Sequence, residues 1–169
     1  MNKVKHNEPI FIRNTEGNTV LNGLLESLDR CTGFYFTVAF LTYGGIQLVL
    51  QKFKELEERG VEGKILTSTY QNFSEPKAIE KLRDFKNIEV RLLDKQLDGG
   101  LHAKGYLFIQ DEWIEVYIGS SNLTASALKE NIEWNVKLTK KINEPFVQDI
   151  LRDYNQLWEM AGLLTDELL

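Results

Sequence analysis

The chain has 169 residues, 43% hydrophobic and 27% charged, which fits one globular domain able to bury a core without disulfides or a structural metal. Net charge is −5, from 20 Lys and Arg against 25 Asp and Glu, so no overall positive field holds this protein to nucleic acid, although a local basic site stays open. The single cysteine, Cys31, excludes an intrachain disulfide and a cysteine-based zinc cluster and reads as a small buried hydrophobe at a helix end. No apolar run reaches the ~18 residues of a membrane span, and no signal-peptide core follows the charged start, so the expected compartment is the cytoplasm, with no membrane partner.

Helix-period and strand-period segments alternate along most of the chain. This predicts an α/β domain, single over 1–169, with a mixed, mostly parallel central sheet and helices on both faces. Val20, Leu21, Leu24, Leu25 and Leu28 give residues 18–31 the spacing of a helix, and the aromatic, uncharged run 34–41 reads as a strand covered on both sides. Gly44 and Gly45 break that run, and a second helix extends to Gly60 with Ile46, Val49, Leu50, Phe53 and Leu56 as its buried stripe. A strand at 64–69, a helix at 78–85 opened by Pro76, and a strand at 88–93 repeat the cycle. The polar aromatic loop 67–73 sits at a strand end, where α/β sheets place ligands, and fits equally a plain loop leading into a helix.

After Gly99 and Gly100 the pattern changes. Runs 101–110 and 113–120, separated by a short polar turn, have the spacing of an antiparallel hairpin. Residues 132–138 alternate, with Ile132, Trp134, Val136 and Leu138 expected on the buried face and Glu133 on the other. Pro145 opens a last helix carrying Phe146, Ile150, Leu151, Tyr154, Leu157 and Trp158. The apolar and acidic tail 162–169 could be a helix that packs on something outside the chain. Phe34, Phe36, Phe40 and Trp134 are expected in the core.

The residues that carry chemistry lie between 102 and 133. On a strand, His102 and Lys104 emerge on one face, as do Ser120 and Asn122, and Glu133 can reach an imidazole on a neighbouring strand. A neutral imidazole oriented by a carboxylate can attack phosphorus, while an ammonium and an amide hold the oxygens whose charge grows in the transition state. That is a kit for phosphodiester cleavage without metal or cofactor. One histidine is not enough, because the leaving oxygen needs an acid and the later water a base. The only other histidine, His6, lies in the polar start, so a second copy of the chain is the expected source.

The pattern His102-x-Lys104 followed by Gly119-Ser120-x-Asn122 resembles the HKD motif of the phospholipase D superfamily, which uses two motifs per site and forms a phosphohistidine. The resemblance implies His102 as nucleophile or as acid and base, Lys104 and Asn122 as phosphate ligands, Ser120 as a supporting hydroxyl and Glu133 as the partner of the histidine. The aspartate of the motif would fall at Ile109. Asp111 stands two places out of register and would need a bulge to substitute, a departure that favours the nuclease type over phospholipases.

Residues 36–40, 63–70, 102–106 and 119–124 are similar to the phospholipase D-like domain at the N-terminus of bacterial superfamily 2 helicases of restriction or repair type. That similarity implies a DNA phosphodiesterase, standalone or excised from a longer chain, with a helicase domain as a partner in cis. No Gly-Lys-Thr or Gly-Lys-Ser phosphate loop occurs, so ATP hydrolysis is not claimed for these residues. The competing readings are a catalytically idle module for dimerisation or DNA docking, and a phospholipid phosphodiesterase.

Overall fold

A computed structural model describes residues 8–68, 74–94 and 100–163. Thr19 starts the first helix, α1 (Val20–Arg30), by accepting the Asn22 N–H on its hydroxyl, and Cys31 ends it as a buried thiol. Burial pushes that thiol up to about 11, which keeps it protonated and unreactive at neutral pH. Thr42 caps α2 (Tyr43–Glu58) in the same way through the Gly45 N–H, and Gly44 and Gly45 lie in its first turn. At position 45 a Cβ would stand 2.2 Å from the Leu123 carbonyl oxygen, so only glycine lets the helix start come this close to the loop at Leu123.

One sheet contains eight strands in the order β1-β7-β6-β5-β2-β3-β4-β8. They are β1 (Ile10–Ile12), β2 (Gly33–Thr37), β3 (Glu62–Ser68), β4 (Ile88–Leu93), β5 (Gly105–Gln110), β6 (Trp113–Gly119), β7 (Asn135–Lys141) and β8 (Gly162–Leu163). The α/β class and the mixed sheet agree with the expectation, but the sheet is not mostly parallel. Among the described pairings only β2–β3 and β3–β4 are parallel, while the other five are antiparallel. Helical crossovers through α2 and α3 (Pro76–Arg83) make the parallel part. In contrast, Asp111 and Glu112 form a two-residue turn that can join only antiparallel neighbours. Asp111 takes a left-handed φ of 54° in that turn, at the far end of β5 from Lys104, so no bulge brings it into the aspartate position of the motif; Ile109 packs on the apolar cluster of Leu107, Ile114 and Val116.

Helices cover both faces. Phe34, Phe36, Phe53, Tyr106 and Phe108 pack with α1, α2 and α3 on one side. On the other, α5 (Pro145–Met160) seals Leu66, Leu93, Leu101 and Leu107 with Tyr154, Trp158 and Val147. Sequence periodicity passed over two short elements, β1 and the helix α4 (Ala125–Lys129), both too brief to show a period. The start of the tail forms β8 on β4; residues 164–169, like Thr69 and Tyr70, lie outside the described ones.

Trp134 and Ile132 are not core residues: they are 69% and 94% exposed. The reason is that β7 starts only at Asn135, so the alternation expected from 132 begins beyond the end of the paired sheet, where no helix covers it. Phe40 is half-buried, because β2 ends at Thr37.

Glu115 is nearly sealed under α1. Its carboxylate accepts from the Ser27 hydroxyl at 2.9 Å, from the Arg30 guanidinium at 2.8 and 2.9 Å, and pairs with Lys137 at 2.8 Å. Burial pushes this carboxyl up, but Lys137 and Arg30 outweigh it and hold the group below the usual carboxylate range. A lowered carboxyl stabilises the fold above its unfolded pKa, and that stability is lost as pH falls through the lower, folded value. Replacing Glu115 with alanine should cost about 3 kcal/mol in urea denaturation at pH 7, because two cations lose their shared partner. In acid the difference from the unmodified protein should shrink.

Candidate active site

Antiparallel order brings the start of β5, the end of β6 and the start of β7 to the same end of the sheet, beside the end of β2. His102 and Lys104 lie just ahead of β5, Ser120 and Asn122 just after β6, and Glu133 just ahead of β7. The expected strand 101–110 therefore begins late, at Gly105. The preceding stretch is held by buried Leu101 and by the Gly119 N–H, which donates to the Lys104 carbonyl at 3.3 Å.

Close approach of the backbones makes the 119–122 turn possible. A Cβ on Gly119 would stand 2.2 Å from the Trp134 carbonyl oxygen, so the glycine of the Gly-Ser-x-Asn stretch is there for contact with β7. Tyr106 donates its hydroxyl to the Ser121 carbonyl at 2.8 Å, pinning the turn to β5 from below. Burial, with the nearby Glu133 charge, raises that phenol well above its ordinary range, so it stays a donor. Ser121 accepts from the Asn135 amide at 2.9 Å and reaches the Ala127 carbonyl. Tyr106 and Asn135 were not singled out from the sequence; Tyr106, two residues after Lys104, had only its spacing to mark it.

Asn122 is 8% exposed. Its Oδ1 accepts the backbone N–H groups of Ala39 at 3.0 Å and Phe40 at 3.2 Å, which fixes the amide and leaves Nδ2 without a hydrogen bond among the described residues. This side chain ties the loop after β2 to the turn after β6. Leu41 and Leu123 form a parallel bridge alongside it, and the Thr42 N–H donates to the Leu123 carbonyl at 3.1 Å.

Glu133 is half-buried, and its carboxylate accepts the Ser120 hydroxyl in a short hydrogen bond and the Asn131 amide at 3.4 Å. Ser120 is doubly joined to the next residue: its N–H donates to the Trp134 carbonyl and its hydroxyl accepts the Trp134 N–H, both at 3.1 Å. His102 is exposed and Lys104 half-buried. Both border a cavity of about 480 Å³ under α5, lined by Ile118, Phe146, Ile150 and Leu157. Asn122 and Glu133 border a second one, of about 640 Å³, with Phe40, Thr42 and Ser126. The five residues thus stand at one end of the sheet between two clefts. Among the described residues, no His, Cys, Asp and Glu side chains gather into a group that could hold a metal ion.

The sequence profile described as cardiolipin synthase, PLD-like domain, matches residues 26–158, most of the chain and all five of these positions. The chain belongs to the phospholipase D-like family. No curated protein matches it significantly. Solved structures of this phospholipase D-like fold resemble nearly the whole of this chain. NucT from Helicobacter pylori is 18% identical with a TM-score of 0.74, the alignment covering 93% of this chain and 99% of that one. Nuc from Salmonella typhimurium, a phospholipase D family member, is 18% identical with a TM-score of 0.72, covering 94% and 99%. Yeast tyrosyl-DNA phosphodiesterase 1 is 11% identical with a TM-score of 0.63, covering 89% of this chain and 38% of its own. At these identities the likeness is one of fold. No helix among the described residues is long and apolar enough to cross a membrane.

Proposed function

We propose that this phospholipase D-like domain is a metal-independent phosphodiesterase that cleaves DNA, in a site completed by a second copy of the chain. The observation that carries the reading is the lock on Asn122. With Oδ1 held by two backbone N–H groups, its only free donor is Nδ2, at the same sheet end as the Lys104 ammonium and the His102 ring. Donors fixed before substrate arrives are what a phosphoryl oxygen gaining charge requires. A ring nitrogen of His102 attacks phosphorus, and the N–P bond forms as the P–O bond to the leaving nucleotide breaks. The partner's His102 gives that oxygen its proton, then takes one from the water that displaces the phosphohistidine. Lys104 and Asn122 hold the non-bridging oxygens. Glu133 and Ser120 position the site, with the carboxylate favouring the tautomer that leaves the attacking nitrogen unprotonated.

The DNA substrate is supported by the likeness to an enzyme whose name states a DNA phosphodiesterase. A helicase domain in cis, in a longer polypeptide, is the partner implied by the resemblance of residues 36–40, 63–70, 102–106 and 119–124. Hydrolysis of supercoiled DNA, single-stranded DNA and bis-p-nitrophenyl phosphate should persist in EDTA, since Lys104 and Asn122 supply the charge stabilisation. Strict dependence on magnesium or manganese would remove this mechanism. A second reading, lipid phosphodiester chemistry, is favoured by one observation, the largely apolar cavity beside His102 and Lys104. Phosphatidylcholine and phosphatidylglycerol in the same assay decide it: their cleavage with DNA left intact would replace the nuclease reading.

A further inference from the structure

Five apolar side chains stand in solvent at the sheet end that carries the site: Ile10, Phe11, Ile118, Ile132 and Trp134. Phe11, 49% exposed, meets the Trp134 ring edge-on, with centroids 5.6 Å apart. Neither ring is placed by chance. The Trp134 backbone is hydrogen-bonded in both directions to Ser120 and follows Glu133 directly, so its indole is fixed relative to the proposed phosphate ligands. Phe11 sits on β1 opposite Val136. One step beyond the last pairs, Ile12 with Asn135 and Asn135 with Gly119, the row continues as Arg13, Trp134 and Ser120; Lys104 stands one row back on the next strand, opposite Gly119. Arg13 is exposed, and its neighbour Asn14 is anchored to this segment by donating to the Ala127 carbonyl at 2.8 Å and the Asn131 carbonyl at 3.0 Å.

We infer that Trp134, with Phe11 behind it, is a stacking platform for an unpaired base of a single-stranded polynucleotide whose scissile phosphate lies at His102 and Lys104. The inference rests on the phosphodiesterase reading and adds the strand type and a residue that selects it. Its ground is the order of chemistry along the sheet end. A cation at Lys104, an exposed indole, and a second cation at Arg13 span about 14 Å over three strand spacings. A single strand presents phosphate, base and phosphate in that order, and its bases are free to leave the backbone and lie on an aromatic face. Paired bases are stacked inside a duplex and cannot. The overall charge of −5 also disfavours a broad duplex-binding surface. Two aromatic rings beside an arginine are the composition of a nucleotide contact.

The test compares Trp134→Ala and Trp134→Phe in the full chain. Binding of a labelled ten-residue oligothymidylate and of its RNA counterpart is read by anisotropy in a His102→Ala background, where nothing turns over. Trp134→Ala should weaken both roughly tenfold or more, and Trp134→Phe should recover most of the loss. With His102 present, KM for the single strand should rise while hydrolysis of bis-p-nitrophenyl phosphate, too short to reach the indole, stays within about twofold. Equal binding by Trp134→Ala would overturn the platform. So would an equal loss on bis-p-nitrophenyl phosphate, which would mean a disturbed Ser120 and Glu133, or tighter binding of duplex than of single strand. Loss of the dimer in light scattering would assign the patch to contact between copies, and loss of phosphatidylglycerol vesicle binding would assign it to a lipid surface. If the unmodified chain hydrolyses nothing yet its binding depends on Trp134, the catalytic reading fails and the platform stands.

Discussion

Replacing His102 with alanine should leave the fold and the proposed dimer intact and cut turnover on the order of 10⁴-fold or more, since the proposed nucleophile is not replaced by the ligands around it. His102 is exposed and outside the regular elements, so its removal leaves no cavity in the core. Mixing the variant with the unmodified chain gives the sharper result. A heterodimer holds one histidine where two are needed, so it lacks either the nucleophile or the acid, and activity should fall toward the fraction of unmodified homodimers. Activity falling only in proportion to the variant added, or full activity from a monomer at micromolar concentration in light scattering, would show that each chain works alone.

Glu133→Gln should slow the chemical step about 10²-fold or more in single-turnover assays with substrate affinity little changed, because a misoriented base loses much of its effect while Lys104 and Asn122 still hold phosphate. The geometry adds a comparison. Glu133 accepts the Ser120 hydroxyl, so a carboxylate that acts through Ser120 predicts a similar loss for Ser120→Ala, and the double variant should be no worse than either single one. If the carboxylate serves the imidazole itself, Ser120→Ala should lose far less. An unchanged rate constant for Glu133→Gln would make the residue structural. Lys104→Ala should weaken binding and rate together, through loss of the positive charge at the phosphate.

Much of this architecture is legible in the sequence, for identifiable reasons. Ile88–Leu93 has the limits its apolar run implied, and the Pro145 helix begins where proline can sit without losing a bond. Cys31 is the buried hydrophobe that its solitude suggested. The spacing from His102 to Glu133 carried the family, because three antiparallel strands return the chain to one end of the sheet. What failed was anything set by where pairing stops. Trp134 and Ile132 alternate as a strand should, yet the ladder begins at Asn135, and no local signal reports the length of a neighbouring strand. The parallel majority failed for a related reason: β7 and β1 add antiparallel pairs that depend on distant segments meeting. The pair of hydrogen bonds that Ala39 and Phe40 donate to Asn122 crosses more than eighty residues and leaves no pattern at either end.

That pair of bonds splits one side chain into two separable jobs. The carbonyl oxygen of Asn122 shelters two amide protons, Ala39 and Phe40, that lie beyond the end of the β2 ladder and have this side chain as their acceptor. Their exchange with solvent deuterium is therefore gated by the Asn122 amide, with no substrate present, which makes them a built-in gauge of whether the turn is assembled. An aspartate at 122 keeps an acceptor for those protons and deletes the Nδ2 donor. It can leave the gauge at full protection while the phosphate loses its ligand, so the architecture of the turn and its chemistry can be read apart on a single residue.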